Sequence, residues 1–156
     1  MKKYELTDET IEVGRKTLRR IRALRDFGDV KQGDLGGYIE KEDNLSHDGN
    51  CWIGDYAKVY GYAKVFGDAK VYENAQVYGY AHVYGNSRIY GKAEVYGNAQ
   101  VYEEPYIYDR ARVYGNAHVY GDAHVYGHAK IYGEACVCWD DWIDDDRRIS
   151  TREKNR

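Results

Sequence analysis

Proline and methionine each occur once in 156 residues, and leucine and isoleucine are scarce. A globular core built from large aliphatic side chains is therefore excluded. No apolar run approaches the roughly 18 residues needed to cross a bilayer. The first ten residues, Met1 to Thr10, contain no apolar signal core, so a cytoplasmic protein that does not engage membranes is expected. Cysteine is limited to Cys51, Cys136 and Cys138, an odd number that suits a reducing compartment. Cys136 and Cys138 form a C-x-C pair, but two ligands do not make a zinc site. Charge of one sign is also missing: the formal net charge is −3, which gives no general attraction to DNA or to an anionic surface. Gly28, Gly33, Gly36 and Gly37 lack the Gly-Lys-Ser/Thr of a phosphate loop. No motif for a cofactor or a metal is present, and none is expected to bind.

What the chain does have is 18 tyrosines and 17 glycines, set in a fixed order. Read in sixes, it runs Tyr56-Ala57-Lys58-Val59-Tyr60-Gly61, then Tyr62-Ala63-Lys64-Val65-Phe66-Gly67, and stays in phase to Glu134-Ala135-Cys136-Val137-Cys138-Trp139. The phase starts at Asn50, and Asn44 to Gly49 is a degenerate unit before it. Heptad and 3.6-residue periods both fail. Within a unit the residues alternate as in a strand, with Ala and Val on one face and the variable residue and Tyr on the other. Gly and the following polar residue supply the turn. A lone strand of this kind cannot bury its Ala/Val face and must stack on copies of itself.

This pattern resembles the hexapeptide-repeat proteins, with Val59 and Ala63, Val65 and Ala69, and Val95 and Ala99 in the positions of that family's aliphatic and small residues. Tyr directly after the aliphatic residue departs from it. The resemblance implies an all-β, single-stranded left-handed parallel β-helix of three hexads per coil. More narrowly, the chain looks like the Ala-x-Val-Tyr-Gly-Asn/Asp repeat proteins of phages and prophages, including the head from Arg20 to Glu40. Many of those relatives carry a transferase name on fold analogy. For a phage-encoded protein the compartment implied is the bacterial host cytoplasm.

Three domains are expected: an N-terminal β cap over 1–49, the β-helix over 50–139, and an acidic cap with a basic, frayed tail over 140–156. The head from Thr17 to Leu24 fits either a strand with Arg on its wet face or a short helix; a strand, paired with Lys3 to Leu6, is favoured. Fifteen hexads at three per coil make about five coils, a prism roughly 24 Å long at the usual strand spacing. Residues 18 apart then stack, giving outer ladders Tyr60-Tyr78-Tyr96-Tyr114-Tyr132, Phe66-Tyr84-Tyr102-Tyr120 and Tyr72-Tyr90-Tyr108-Tyr126.

Four chemistries compete. The resemblance implies an acyltransferase with a histidine general base, for which His82, His118, His124 and His128 are candidates. However, His82, His118 and His124 occupy the variable outward position, and no loop interrupts the hexads to build a pocket. A metal site would draw on His118 with Cys136, and on His82 two coils away. A nucleic-acid site would use the outward bases Lys58, Lys64, Lys70, Arg88, Arg110, Arg112 and Lys130 among tyrosines. The repeat, though, contains eight Lys or Arg and nine Asp or Glu, a net charge of −1.

The fourth chemistry, a non-enzymatic binding protein, is favoured. Its expected surface is the Tyr84, Tyr102 and Tyr120 ladder with the acidic end, Trp139, Asp140, Asp141, Trp142, Asp144, Asp145 and Asp146. The phage-like resemblance implies a bacterial protein or ribonucleoprotein as partner. The chain would then inhibit a defence system, by anti-CRISPR or anti-restriction action, with the acidic end imitating nucleic acid. The basic head and acidic tail further suggest a homo-oligomer, a dimer in preference to a trimer.

Overall fold

A computed structural model of the protein describes residues 2–144 and 147–151. The chain opens with strands β1 (Tyr4–Val13) and β2 (Lys16–Ala23), an antiparallel hairpin in which Tyr4 faces Ala23 and Leu6 faces Ile21. Strand β3 (Leu35–Ile39) is antiparallel to β2 on one side and parallel to Lys58–Val59 on the other. From there two-residue strands recur at every hexad, from Trp52–Ile53 to Arg148–Ile149.

Each strand pairs in parallel with those 18 residues before and after it, so the coil has three faces. Face I carries Lys58, Gln76, Glu94, Arg112, Lys130 and Arg148 at its outward positions and continues through β3 into the hairpin as a nine-stranded sheet. Face II carries Lys64, His82, Gln100, His118 and Cys136 in a five-stranded sheet. Face III carries Trp52, Lys70, Arg88, Tyr106, His124 and Trp142 in a six-stranded sheet. The architecture is the all-β parallel β-helix expected, with about six coils in place of five.

The hexad explains this locally. Alternation sends every Ala and Val inward: Ala57, Val59, Ala63, Val65 and their successors are buried to 1% exposure or less. The corner residue must adopt a left-handed conformation, as Gly115 does at φ 67°. At four corners without glycine, Asp55, Glu73, Glu103 and Asp109, a carboxylate takes the position. Glu73 (φ 57°) accepts the Gly91 N–H at 2.8 Å, and Asp109 (φ 57°) accepts the Gly127 N–H at 3.0 Å. Each acid thus fastens its corner to the next coil.

Outside the coil the three ladders stack ring on ring, with centroids 4.6–5.3 Å apart and planes within 1–11° of parallel. Contacts of this kind contribute about 0.5–1.5 kcal/mol each beyond area burial, which matters above so thin a core. Burial raises the phenol pKa of Tyr60, Tyr72, Tyr78, Tyr96, Tyr102 and Tyr108, and pushes that of Tyr90 up to about 12.

The coil is longer at both ends than the hexad phase indicates, so the boundaries placed at 49 and 139 both fall inside it. Ile39 pairs with Val59 and Leu45 bridges to Val65. These lie 20 residues apart, not 18, because two extra residues between Leu45 and Ile53 throw the first coil out of phase. At the other end, Ile143 and Ile149 keep the sixth-residue inward position after Val137, and Trp142–Ile143 and Arg148–Ile149 pair onto the coil before them. The acidic run therefore does not break the repeat.

The head seals the first coil with an unusual plug. Lys3 is fully buried; its ammonium donates to Cys51 O at 2.8 Å and Gly49 O at 3.2 Å and lies 4.7 Å from the Phe27 ring centre. Tyr4 stacks on His47 and donates to Leu45 O at 2.6 Å. Gly36 lets β3 lie close against the coil, since a Cβ there would meet Ile53 O at 2.5 Å.

Candidate functional site

The expected histidines do not converge. His82 and His118 share face II, two coils apart with Gln100 between them. His82 meets Phe66 edge-on. His118 meets Tyr102 edge-on, with Nδ1 3.3 Å from the Tyr102 hydroxyl. His124 lies on face III between Tyr106 and Trp142, stacked on the latter at 3.8 Å. Its Nδ1 is buried without a hydrogen-bond partner, and burial pushes its pKa below the ordinary value.

Of the expected binding surface, Tyr84, Tyr102 and Tyr120 are brought together on face II with stacked rings. Tyr120 is pushed up to about 12, first by a hydrogen bond with the Cys138 thiol and then by burial. Tyr102, His118 and Tyr120 line a shallow groove of about 480 Å³ with Asn116, Glu134, Cys136 and Thr151.

Among the described residues the acidic end is not a single patch. Asp140 and Asp144 are exposed, but Asp141 occupies the inward alanine position, 8% exposed, with its carboxylate on the Cys138 N–H at 3.3 Å. Trp139 takes a corner at φ 62° and stands 70% exposed, and Trp142 packs on His124. Asp145 and Asp146 lie outside the described residues. His118 and Cys136 are strand neighbours on face II, yet among the described residues no three His, Cys, Asp or Glu side chains are placed to hold a metal ion.

The feature missed by reading hexads one at a time is on face I. Its outward row holds Lys58, Gln76, Glu94, Arg112, Lys130 and Arg148, and the neighbouring corner row holds Asn74, Lys92, Arg110 and His128. Together these ten residues line one groove of about 770 Å³. Six carry permanent positive charge and one, Glu94, is acidic. That carboxylate is engaged, accepting a hydrogen bond from the Tyr78 hydroxyl at 2.8 Å. Among the described residues every ion pair lies in the head, within residues 2–47, and none lies in the groove. Strand register sets Arg112 opposite Lys130 and Lys130 opposite Arg148, an arrangement of like charges that is destabilising.

A second groove, of about 510 Å³ between head and face III, is mixed in charge, with Asp29, Asp34 and Asp55 beside Lys70 and Arg88. The signal for the cationic groove is present in the sequence at every eighteenth residue. The average over the repeat, near neutral, conceals it.

Comparison with known proteins agrees with the solenoid. The model of the YdcK Beta solenoid repeat matches residues 107–121 and 111–127. A protein of Escherichia coli (strain K12) named "Uncharacterized acetyltransferase YdcK" is 42% identical over 67 residues, covering 38% of this chain. The match spans 21% of that protein's length. It supports kinship with hexapeptide-type β-helix proteins.

Proposed function

We propose that this chain is a non-enzymatic binding protein that holds an anionic partner in the groove of face I. The observation that carries this reading is the sorting of six cations against one engaged carboxylate into one groove without an ion pair among the described residues. Sequences seldom stack like charges across strands unless something else offsets the repulsion, and such departures from local preference gather at functional sites. The test is retention on a sulfated polysaccharide matrix. The wild type is retained at low salt and Lys130→Glu elutes earlier. A folded wild type that passes straight through would sink the proposal.

The narrower form of this reading is a phage-type inhibitor of a bacterial defence system whose partner is a protein or ribonucleoprotein complex. In that form the groove meets the nucleic-acid part of the complex, and the acidic end need not imitate it. Affinity capture with the wild type and with Lys130→Glu tests this form. Recovery of the same nuclease complexes by both would argue against a role for the groove.

A second reading, acyl transfer, is favoured by the acetyltransferase name of the Escherichia coli relative and by the grouping of His118, Tyr102, Glu134 and Cys136 around one shallow groove. In it His118 is the general base. Calorimetry with acetyl-CoA separates the two readings: binding lost in His118→Ala supports acyl transfer, and binding lost in Lys130→Glu but not in His118→Ala assigns the phosphates to face I.

A further inference from the structure

We infer that the groove of face I takes the phosphate backbone of a single-stranded nucleic acid, drawn straight along the coil axis and read without contact to its bases. This rests on the proposed binding role of that groove and names the ligand.

The shape of the groove comes first. Its two rows, Lys58 to Arg148 and Asn74 to His128, advance by one strand spacing per coil and do not wind around the prism. Five steps from Lys58 to Arg148 make roughly 24 Å. Over that length a duplex backbone completes about two-thirds of a helical turn, given a turn of about 34–36 Å, and leaves a straight row of charges. A single strand has no such obligation and follows the row.

The chemistry of the lining comes second. Arg110, Arg112 and Arg148 present planar donor forks suited to phosphate oxygens, and Lys92 and Lys130 add point charges beside them. An acidic protein partner normally brings an apolar anchor to a central pocket, and none of the ten lining residues is apolar.

The tyrosines beside the groove decide the mode. Bases are usually gripped by stacking on aromatic faces. In the Tyr60 to Tyr132 ladder, Tyr78, Tyr96 and Tyr114 each have both faces covered by neighbouring rings 4.9–5.3 Å away. Only their edges and hydroxyls lie outside the stack. Those hydroxyls hold the groove side chains in place: Tyr60 donates to Gln76 at 3.2 Å and Tyr78 to Glu94 at 2.8 Å. The three inner rungs are thus a rigid kerb for the cations and offer no open face to a base. Binding is therefore electrostatic and indifferent to sequence.

Fluorescence anisotropy with labelled twenty-nucleotide oligo-dT and oligo-dA tests this. Both strands are expected to bind alike, with affinity falling steeply as salt rises. If all six cations engage phosphates, the slope is about −4 decades of affinity per decade of salt, roughly a 300-fold loss between 50 and 200 mM. Lys130→Glu combined with Arg112→Glu should abolish binding, and Lys130→Gln should weaken it and flatten the slope by about 0.7. Lys64→Glu, on face II, should leave binding unchanged. Thermal unfolding of each variant confirms the fold.

Inorganic polyphosphate should compete, since only phosphate is recognised, and poly-glutamate should compete poorly. A strong preference for one base, tighter binding of duplex than of single strand, or equal competition by poly-glutamate would each overturn the inference. If the strands do not bind but the sulfated matrix still retains the wild type, the inference fails and the anionic groove stands. If neither binds, both fall.

Discussion

Two regions of this molecule are rich in arginine and lysine, and they treat their charge in opposite ways. In the head four bases look across at acids: Arg22 pairs with Glu5, Arg20 with Glu9 at 3.4 Å, Arg19 with Asp8 at 3.8 Å, and Lys16 with Glu40 at 3.5 Å. In the groove of face I the bases look across at one another. The head is the more conspicuous in the sequence, because Arg15 to Arg25 is a visible run. The groove is dispersed over some ninety residues and is assembled only by the coil. A run of bases therefore marks structure here, and a periodic scatter of bases marks the candidate site.

The largest effect should come from breaking the frame that assembles the scatter. Gly115 holds φ 67°, and a Cβ there would approach Gly133 N to 2.7 Å. A branched side chain meets both penalties at once. A left-handed conformation alone costs about 1–2 kcal/mol for a residue with a Cβ, and the backbone clash adds to it. Gly115→Val should lower stability by more than about 2 kcal/mol, a fall in Tm of at least about 4–8 °C by calorimetry. Anion retention should weaken with it, because the rows lose register. Unchanged stability would mean that the corner is soft and the groove less rigid than the stacked coils imply.

The next test is the comparison itself. The same kind of change, base to acid, should have opposite signs in the two regions. Arg22→Glu removes the pair with Glu5 and sets two carboxylates across the hairpin, costing about 0.5–1.5 kcal/mol. Lys130→Glu relieves two repulsions, with Arg112 and Arg148, and should raise stability by about 0.5–1 kcal/mol. The gain should shrink as salt screens the wild-type repulsion. Chemical denaturation of the two variants at low and high salt gives both signs. Destabilisation by Lys130→Glu would show that the row is not under strain and would remove the main argument that the groove exists for a ligand.

The fold was legible because the hexad constrains every level at once. Ala and Val each have one position, Tyr and Gly are concentrated at the fifth and sixth, and no residue is inserted between 50 and 139. The first coil was hidden by its two-residue insertion after Leu45, and the last by the substitution of Asp141, Asp144 and Asp145 at the alanine, tyrosine and glycine positions. Ile143 and Ile149 were the surviving signals. The site was hardly legible. Lys58, Arg110, Arg112 and Lys130 read as outward bases, but nothing within one hexad separates them from Lys64, Lys70 and Arg88, which stand on other faces. Pooling gave a net charge of −1 and discounted an anionic ligand. Four of the nine acids behind that balance, Asp55, Glu73, Glu103 and Asp109, sit at corners and each accept a backbone N–H. They are engaged in closing turns and leave the row of face I uncancelled.

The smallest expected effect concerns a third kind of potential cation, one with a ring nitrogen that is neither paired nor solvated. His124 is sandwiched between Tyr106 and Trp142, with Nδ1 buried and unpartnered. Burial lowers its pKa, against a weaker opposing pull from Asp122. A histidine whose folded pKa lies below its unfolded value is held neutral by the fold. Its contribution to stability is present above the unfolded pKa of about 6.5 and is lost as pH falls below it. His124→Phe keeps the stacked ring and removes the proton site. The stability of the variant relative to wild type should therefore rise as pH is lowered from about 7 to about 5, a difference in which the other histidines cancel. It should also be close to zero at neutral pH, because the ring loses no hydrogen bond at Nδ1. A constant offset across that range would mean that the imidazole is protonated in place, and that this face, like the groove, tolerates an unpaired cation.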